Sequence, residues 1–142
     1  MPIVRNSFIQ MSKLPNVKGR ISYISSKARQ ENLYAVYETT DRKFWMELAK
    51  CNQEEVKKSG TEGKCIEARE LIIALPESFV DYEPDKLLKL FTEHFKQNYG
   101  VECISALHHN KRKTNYHIHL IFSERKLLPF RSLGEIQLCS KV

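Results

Sequence analysis

Residues 115–125, Asn-Tyr-His-Ile-His-Leu-Ile-Phe-Ser-Glu-Arg, leave the chain one reasonable local conformation. Polar and apolar residues alternate there, and a β-strand is the element that sends successive side chains to opposite faces. His117, His119, Ile121 and Ser123 then share one face, and Ile118, Leu120 and Phe122 share the other. One face reads as core and the other carries two imidazoles. Upstream, Val101 to Leu107 reads as a second strand running into His108 and His109, and Asn110 to Thr114 is a connection of hairpin length. The two strands are therefore expected to be antiparallel neighbours, which brings a third imidazole to the pair. His108 and His109 point to opposite faces, so one of them joins, and spacing leaves open which. Three neutral imidazoles on rigid strands, without a fourth protein ligand, describe an open divalent-metal site better than a closed structural one.

The rest of the chain supplies partners for that hairpin. Ile3 to Ile9 reads as a strand closed by Pro15 and Asn16, and Ile21 and Ile24 predict a short helix over about residues 20 to 28, with Tyr23 on its more polar side. Leu33 to Tyr37 is a short strand or an extended connector. Asp41 is a fair N-cap for a helix with a stripe of Phe44, Trp45, Leu48 and Ala49, reaching about residues 55 to 57. The polar loop over residues 57–64 lacks the spacing of a phosphate-binding loop. Ala68 to Pro76 is a near-continuous apolar run, as in a buried central strand, with Glu70 near its start. Pro84 suits the first turn of a helix that buries Leu87, Leu88, Phe91 and Phe95 and stops at Gly100. This order predicts a single α+β domain over residues 1–142, a central antiparallel β-sheet covered by helices. Residues 127–142 have no convincing period and read as a last short strand or an irregular tail.

Charge narrows the partners. The chain carries a net charge of +6, yet residues 1–30 hold Arg5, Lys13, Lys18, Arg20, Lys27 and Arg29 and no acid. Beyond them, lysines and arginines equal the 17 acids, so the whole excess sits in an N-terminal arm suited to a polyanion. No apolar run approaches the roughly 18 residues of a membrane span and no signal pattern opens the chain, so a cytoplasmic protein without a membrane partner is expected. Cys51, Cys65, Cys103 and Cys139 are scattered and never paired as Cys-x-x-Cys, which excludes a zinc ribbon and predicts reduced thiols.

A metal held by three nitrogens keeps positions for water and a phosphate oxygen, and so suits phosphodiester chemistry. The nucleophile would be bound water or a side-chain hydroxyl. Glu70, the one acid within a strongly apolar strand, reads either as a strand-end surface charge or as the orienter of a histidine or a proton acceptor. His108, eight residues, then His117-x-His119 followed by Ser123-Glu124-Arg125 resembles the three-histidine motif of the MobA/MobL plasmid mobilisation relaxases, which are HUH-type single-strand DNA endonucleases. Glu70 to Pro76 resembles that family's acidic-then-apolar strand ending in Ala-Leu-Pro, Ala106-Leu107-His108 its Ala-Ile-His, and Lys18 to Ile24 the segment holding its nucleophilic tyrosine.

The resemblance runs from about residue 16 to residue 126 and implies an HUH relaxase fold with a ferredoxin-like palm. It implies that Tyr23 attacks the scissile phosphate at a transfer origin, with Glu70 as a further catalytic group. It implies a divalent ion on His108, His117 and His119, magnesium or manganese, for which zinc or nickel can stand in. Single-stranded DNA is the implied partner, together with accessory mobilisation proteins. Lys18, Arg20, Lys27, Arg29, Lys111, Arg112 and Lys113 are placed to contact the strand. The chain departs from the family at Tyr116, where proline is common, and in a connecting loop one residue longer, which keeps His109 beside His108 as the third ligand. Its tail no longer resembles the family. Two further expectations follow: a shortened, non-catalytic remnant that binds metal or nucleic acid, and an HUH replication-initiation nuclease.

Overall fold

A computed structural model describes residues 9–26, 33–60, 65–109 and 116–123, together with the backbone of residues 125–127 and 138–141. In chain order the elements are β1 (Ile9–Leu14), α1 (Val17–Ser25), β2 (Leu33–Glu38), α2 (Arg42–Ser59), β3 (Ala68–Ala74), a 3-10 turn (Glu77–Asp81), α3 (Pro84–Tyr99), β4 (Cys103–His109), β5 (Tyr116–Phe122), β6 (Arg125–Leu127) and β7 (Leu138–Lys141). Helix ends follow local chemistry. Asn16 accepts the Gly19 N–H at 3.0 Å and starts α1, and Asp41 accepts the Phe44 N–H at 3.1 Å and starts α2. Gly60 and Gly100, at φ 68° and 66°, close α2 and α3 in the left-handed conformation that glycine adopts without strain.

The first five strands form one sheet in the order β1-β3-β5-β4-β2, every neighbouring pair antiparallel, and β6 pairs with β7 separately. The α+β reading holds. The central strand is β5, where alternation is cleanest, rather than β3, which sits between β1 and β5 and keeps Ile72 and Ile73 half-buried. Strand β1 begins at Ile9, where the expected strand of residues 3–9 would end, and residues 3–8 lie outside those described. Helix α1 begins before residue 20 because Asn16 caps it, and α2 runs on to Ser59.

Both faces of the sheet are buried. On one, Ile104, Ala106 and Ile121 pack with Val17, Ile21 and Ile24 of α1 and Phe44, Trp45 and Leu48 of α2. On the other, Leu107, Ile118 and Leu120 pack with Leu87 and Leu88 of α3. The core face and the imidazole face expected of β5 are both present, and the imidazole face is buried as well. The histidine face is roofed by α1 and α2, so its polar groups need partners inside the protein. Among the described residues no helix is long and apolar enough to cross a membrane.

Candidate metal centre

Register assembles the centre. Strands β4 and β5 place His108 directly opposite His117, while His119, two residues on, lies between Ala106 of β4 and Ile72 of β3. Residues opposite one another on antiparallel strands share a face, so the three imidazoles gather on the side covered by α1. One donor atom from each lies within 4.8 Å of the others, and His117 Nε2 is 3.0 Å from His119 Nε2. His109 points to the opposite face, 1% exposed and edge-on to Tyr34 and Tyr116, with neither ring nitrogen hydrogen-bonded. The choice that spacing left open therefore falls on His108.

Protonation follows from the neighbours. His108 Nε2 lies 2.9 Å from the Ile24 carbonyl, which only accepts, so Nε2 carries the hydrogen and Nδ1 keeps a lone pair. Burial pushes the His108 pKa down to about 4, the Ile24 bond offsetting only part of it, and the ring is neutral at pH 7. His119 turns Nε2 toward His117 and its buried Nδ1 toward Glu70, 3.7 Å from Oε1. That distance exceeds a direct hydrogen bond, so the carboxylate acts on the ring through its charge.

Glu70, at 2% exposure, is no strand-end surface charge. Arg20 Nε and Nη2 each donate to its carboxylate at 2.8 Å. Burial alone would raise its pKa, but the His119 ring and the Arg20 guanidinium outweigh burial and hold it below the ordinary carboxylate range. A carboxylate this well satisfied is an orienting charge and a poor proton acceptor.

The donor set fits a divalent ion. Two nitrogens bound at about 2.1 Å and at right angles stand about 3.0 Å apart, as His117 and His119 do. Two of the three rings also have the outer partner expected of a ligand: His108 is anchored through its far nitrogen and His119 is backed by a carboxylate. His108, His117 and His119 can together hold a metal ion.

Helix α1 brings Tyr23 to this side of the sheet. Its ring is 43% exposed, the Arg20 guanidinium lies 5.1 Å above it, and the next residue, Ile24, holds His108. Lys18 is exposed on the same helix. Arg20, expected among the DNA contacts, turns two donors inward to Glu70. Lys27, Arg29, Lys111, Arg112 and Lys113 lie outside the described residues. Two members of the centre escaped sequence reasoning, the Ile24 carbonyl and the Arg20 bridge. The only local signal for the latter was the three-residue spacing of Arg20 and Tyr23, which puts both on one helical face.

The sequence model of the MobA/MobL family matches residues 26–136. The chain belongs to the MobA/MobL family. The matched span takes in Glu70 and all three clustered histidines and opens just past α1, so Tyr23 and Arg20 stand immediately before it. MobA/MobL membership gives the chain a relaxase-type role in mobilisation. No curated protein matches the chain.

Proposed function

We propose that this MobA/MobL chain is a single relaxase-like domain that nicks one DNA strand at a transfer origin through a transient tyrosine–DNA bond. The observation that carries the reading is the juxtaposition of a three-imidazole cluster with the helix that bears an accessible tyrosine. In this reading His108, His117 and His119 hold a divalent ion, and when bound there it supplies Lewis-acid polarisation of the scissile phosphate. Magnesium or manganese is the ion this reading assigns, and three imidazole donors suit zinc and nickel well enough for either to replace it.

The chain's own groups do the rest. Tyr23 Oη attacks phosphorus, the bond from phosphorus to the 3′ oxygen breaks, and the phenolic proton ends on the freed 3′ hydroxyl, leaving the 5′ phosphate on Tyr23. Glu70 holds the His119 ring in orientation, and Ile24 holds His108 in the tautomer that leaves the Nδ1 lone pair free for the ion. Lys18 and the basic residues at 27, 29 and 111–113 contact the strand backbone, which gives salt-dependent binding of single-stranded DNA in the cytoplasm. Accessory mobilisation proteins are the further partners of this reading.

The test is incubation of the full chain with manganese and labelled single-stranded transfer-origin oligonucleotides, followed by a denaturing gel. The native chain gives a covalent adduct and Tyr23→Phe gives none; an adduct that survives Tyr23→Phe removes Tyr23 from the role. One observation favours a second reading, a non-catalytic chain that binds metal or nucleic acid without cutting: the family match opens after α1, the helix that bears Tyr23. Binding of DNA by the native chain without any adduct supports that reading.

A further inference from the structure

We infer that Arg20 is a positioning residue that locks the tyrosine helix to the histidine cluster through Glu70, and not a phosphate contact. The cleavage arm of the test rests on the relaxase reading; the metal and stability arms do not. A single guanidinium touches both ends of the centre. Its Nε and Nη2 close a two-pronged ion pair with Glu70, and its Cζ lies over the Tyr23 ring, 5.1 Å from the centroid. Glu70 in turn faces His119 Nδ1. Tyr23, Arg20, Glu70 and His119 therefore form a continuous line of contacts across α1, β3 and β5.

The line does something apolar packing cannot do. Helix α1 has nine residues and buries Val17, Ile21 and Ile24. Such burial is non-directional: it sets how close the helix sits to the sheet and only weakly how it is turned or slid along it. Directional bonds set those freedoms. The Val17 N–H donates to Glu67 at 2.9 Å at the start of α1, Arg20 grips Glu70 in the middle, and the Ile24 carbonyl takes the His108 N–H near the end. Of the three, only the Arg20 bond also touches Tyr23. A planar guanidinium paired through two donors fixes an angle as well as a distance, which lysine cannot reproduce.

Arg20 is also what makes Glu70 tolerable. On its face of the sheet Glu70 lies between Ser12 of β1 and Ile121 of β5, neither charged. A carboxylate at 2% exposure needs donors aimed at it, and Arg20 supplies one to each of its oxygens at 2.8 Å. The Arg20 side chain is 29% exposed, so solvent reaches it, but two of its donors face inward and a DNA phosphate would have to compete with Glu70 for them.

The experiment compares Arg20→Lys, Arg20→Ala, Glu70→Gln and Arg20→Ala/Glu70→Gln in the full chain. Cobalt(II) titrated into the native protein reads the cluster by visible absorption. Arg20→Lys and Arg20→Ala should weaken cobalt binding about tenfold or more and alter the band shape, as Glu70→Gln does, on the scale of lost partners of ligating histidines. The double variant should be no worse than Glu70→Gln alone, in cobalt affinity and in thermal midpoint. Single-stranded DNA affinity should stay within about twofold with an unchanged salt slope, while the single-turnover rate of adduct formation falls at fixed KM.

Loss of DNA affinity with a salt slope reduced by about 0.7, the signature of one lost single-strand phosphate contact, together with an unchanged cobalt spectrum, overturns the inference. So do strictly additive effects of Arg20→Ala and Glu70→Gln. If Arg20→Ala does not fold, Arg20→Lys carries the comparison. A native chain that binds cobalt in an Arg20-dependent way but forms no adduct sinks the relaxase reading and keeps this one. An adduct-forming chain whose Arg20 variants change only DNA affinity does the reverse.

Discussion

Replacing Glu70 with glutamine removes a charge and almost no volume, so its effect can be worked from contacts. The native carboxylate accepts two guanidinium N–H bonds at 2.8 Å. Glutamine keeps one oxygen for one of them and sets an N–H donor against the other. Breaking a fully buried pair by removing one partner costs about 3–5 kcal/mol. Glu70 is buried to that degree, but the Arg20 side chain is 29% exposed and rehydrates once released, and the variant no longer desolvates a carboxylate. Both discounts lower the expected loss to about 2 kcal/mol, close to one hydrogen bond between charged groups. For a domain of this size that is a fall of about 4–8 °C in thermal midpoint.

Urea unfolding of the metal-free protein at pH 7 measures that loss. Because the folded-state pKa of Glu70 is depressed, its stabilisation is fully present above the ordinary carboxylate value of 4.5 and is lost as pH falls through the lower folded-state value. The gap between native chain and variant should therefore be flat from pH 7 to about 4.5 and close below it. A Glu70→Gln protein as stable as the native chain at pH 7 refutes the ion-pair reasoning. A gap that persists unchanged into strong acid refutes its charge origin.

Other outcomes follow from the same contacts. His108 is held neutral, with its pKa pushed from an ordinary 6.5 down to about 4, so the unfolded chain takes up that proton first. Stability of the metal-free protein should fall as pH drops from 6.5 toward 4, and His108→Gln should flatten that limb in urea titrations. Manganese or zinc should raise the native thermal midpoint in proportion to the logarithm of concentration; His117→Ala should abolish the rise, and a rise that survives it excludes the cluster. Leu88, fully buried on the sheet-facing side of α3 at the far face, should cost about 2–5 kcal/mol on change to alanine while metal affinity stays native; a matching loss of metal binding would show the two faces to be coupled.

What the sequence alone determined was local. Alternation over residues 116–122 made β5 a strand and put His117 and His119 on one face. Asp41, Pro84 and Gly100 marked where helices start and stop, because caps and left-handed turns act over three or four residues. The basic N-terminal arm and the four scattered cysteines were legible from composition. Within one strand, parity is a property of the backbone.

Between strands it is not. Whether His108 or His109 joined the pair depended on the register of β4 against β5, and pairing His108 with His117 decided it. The burial of the imidazole face was hidden too. Alternation does not say what covers a face; α1 and α2 cover this one, and α1 supplies the Ile24 carbonyl and the Arg20 guanidinium as partners. Arg20 and Glu70 stand 50 residues apart, on a helix and a strand that chain topology alone brings together. Hydrophobic period, caps and charge runs are written within a few residues of the chain, whereas a metal cluster and the ion pair behind it are distances across the sheet. Those distances exist only once strand order, register and the roof of helices are set.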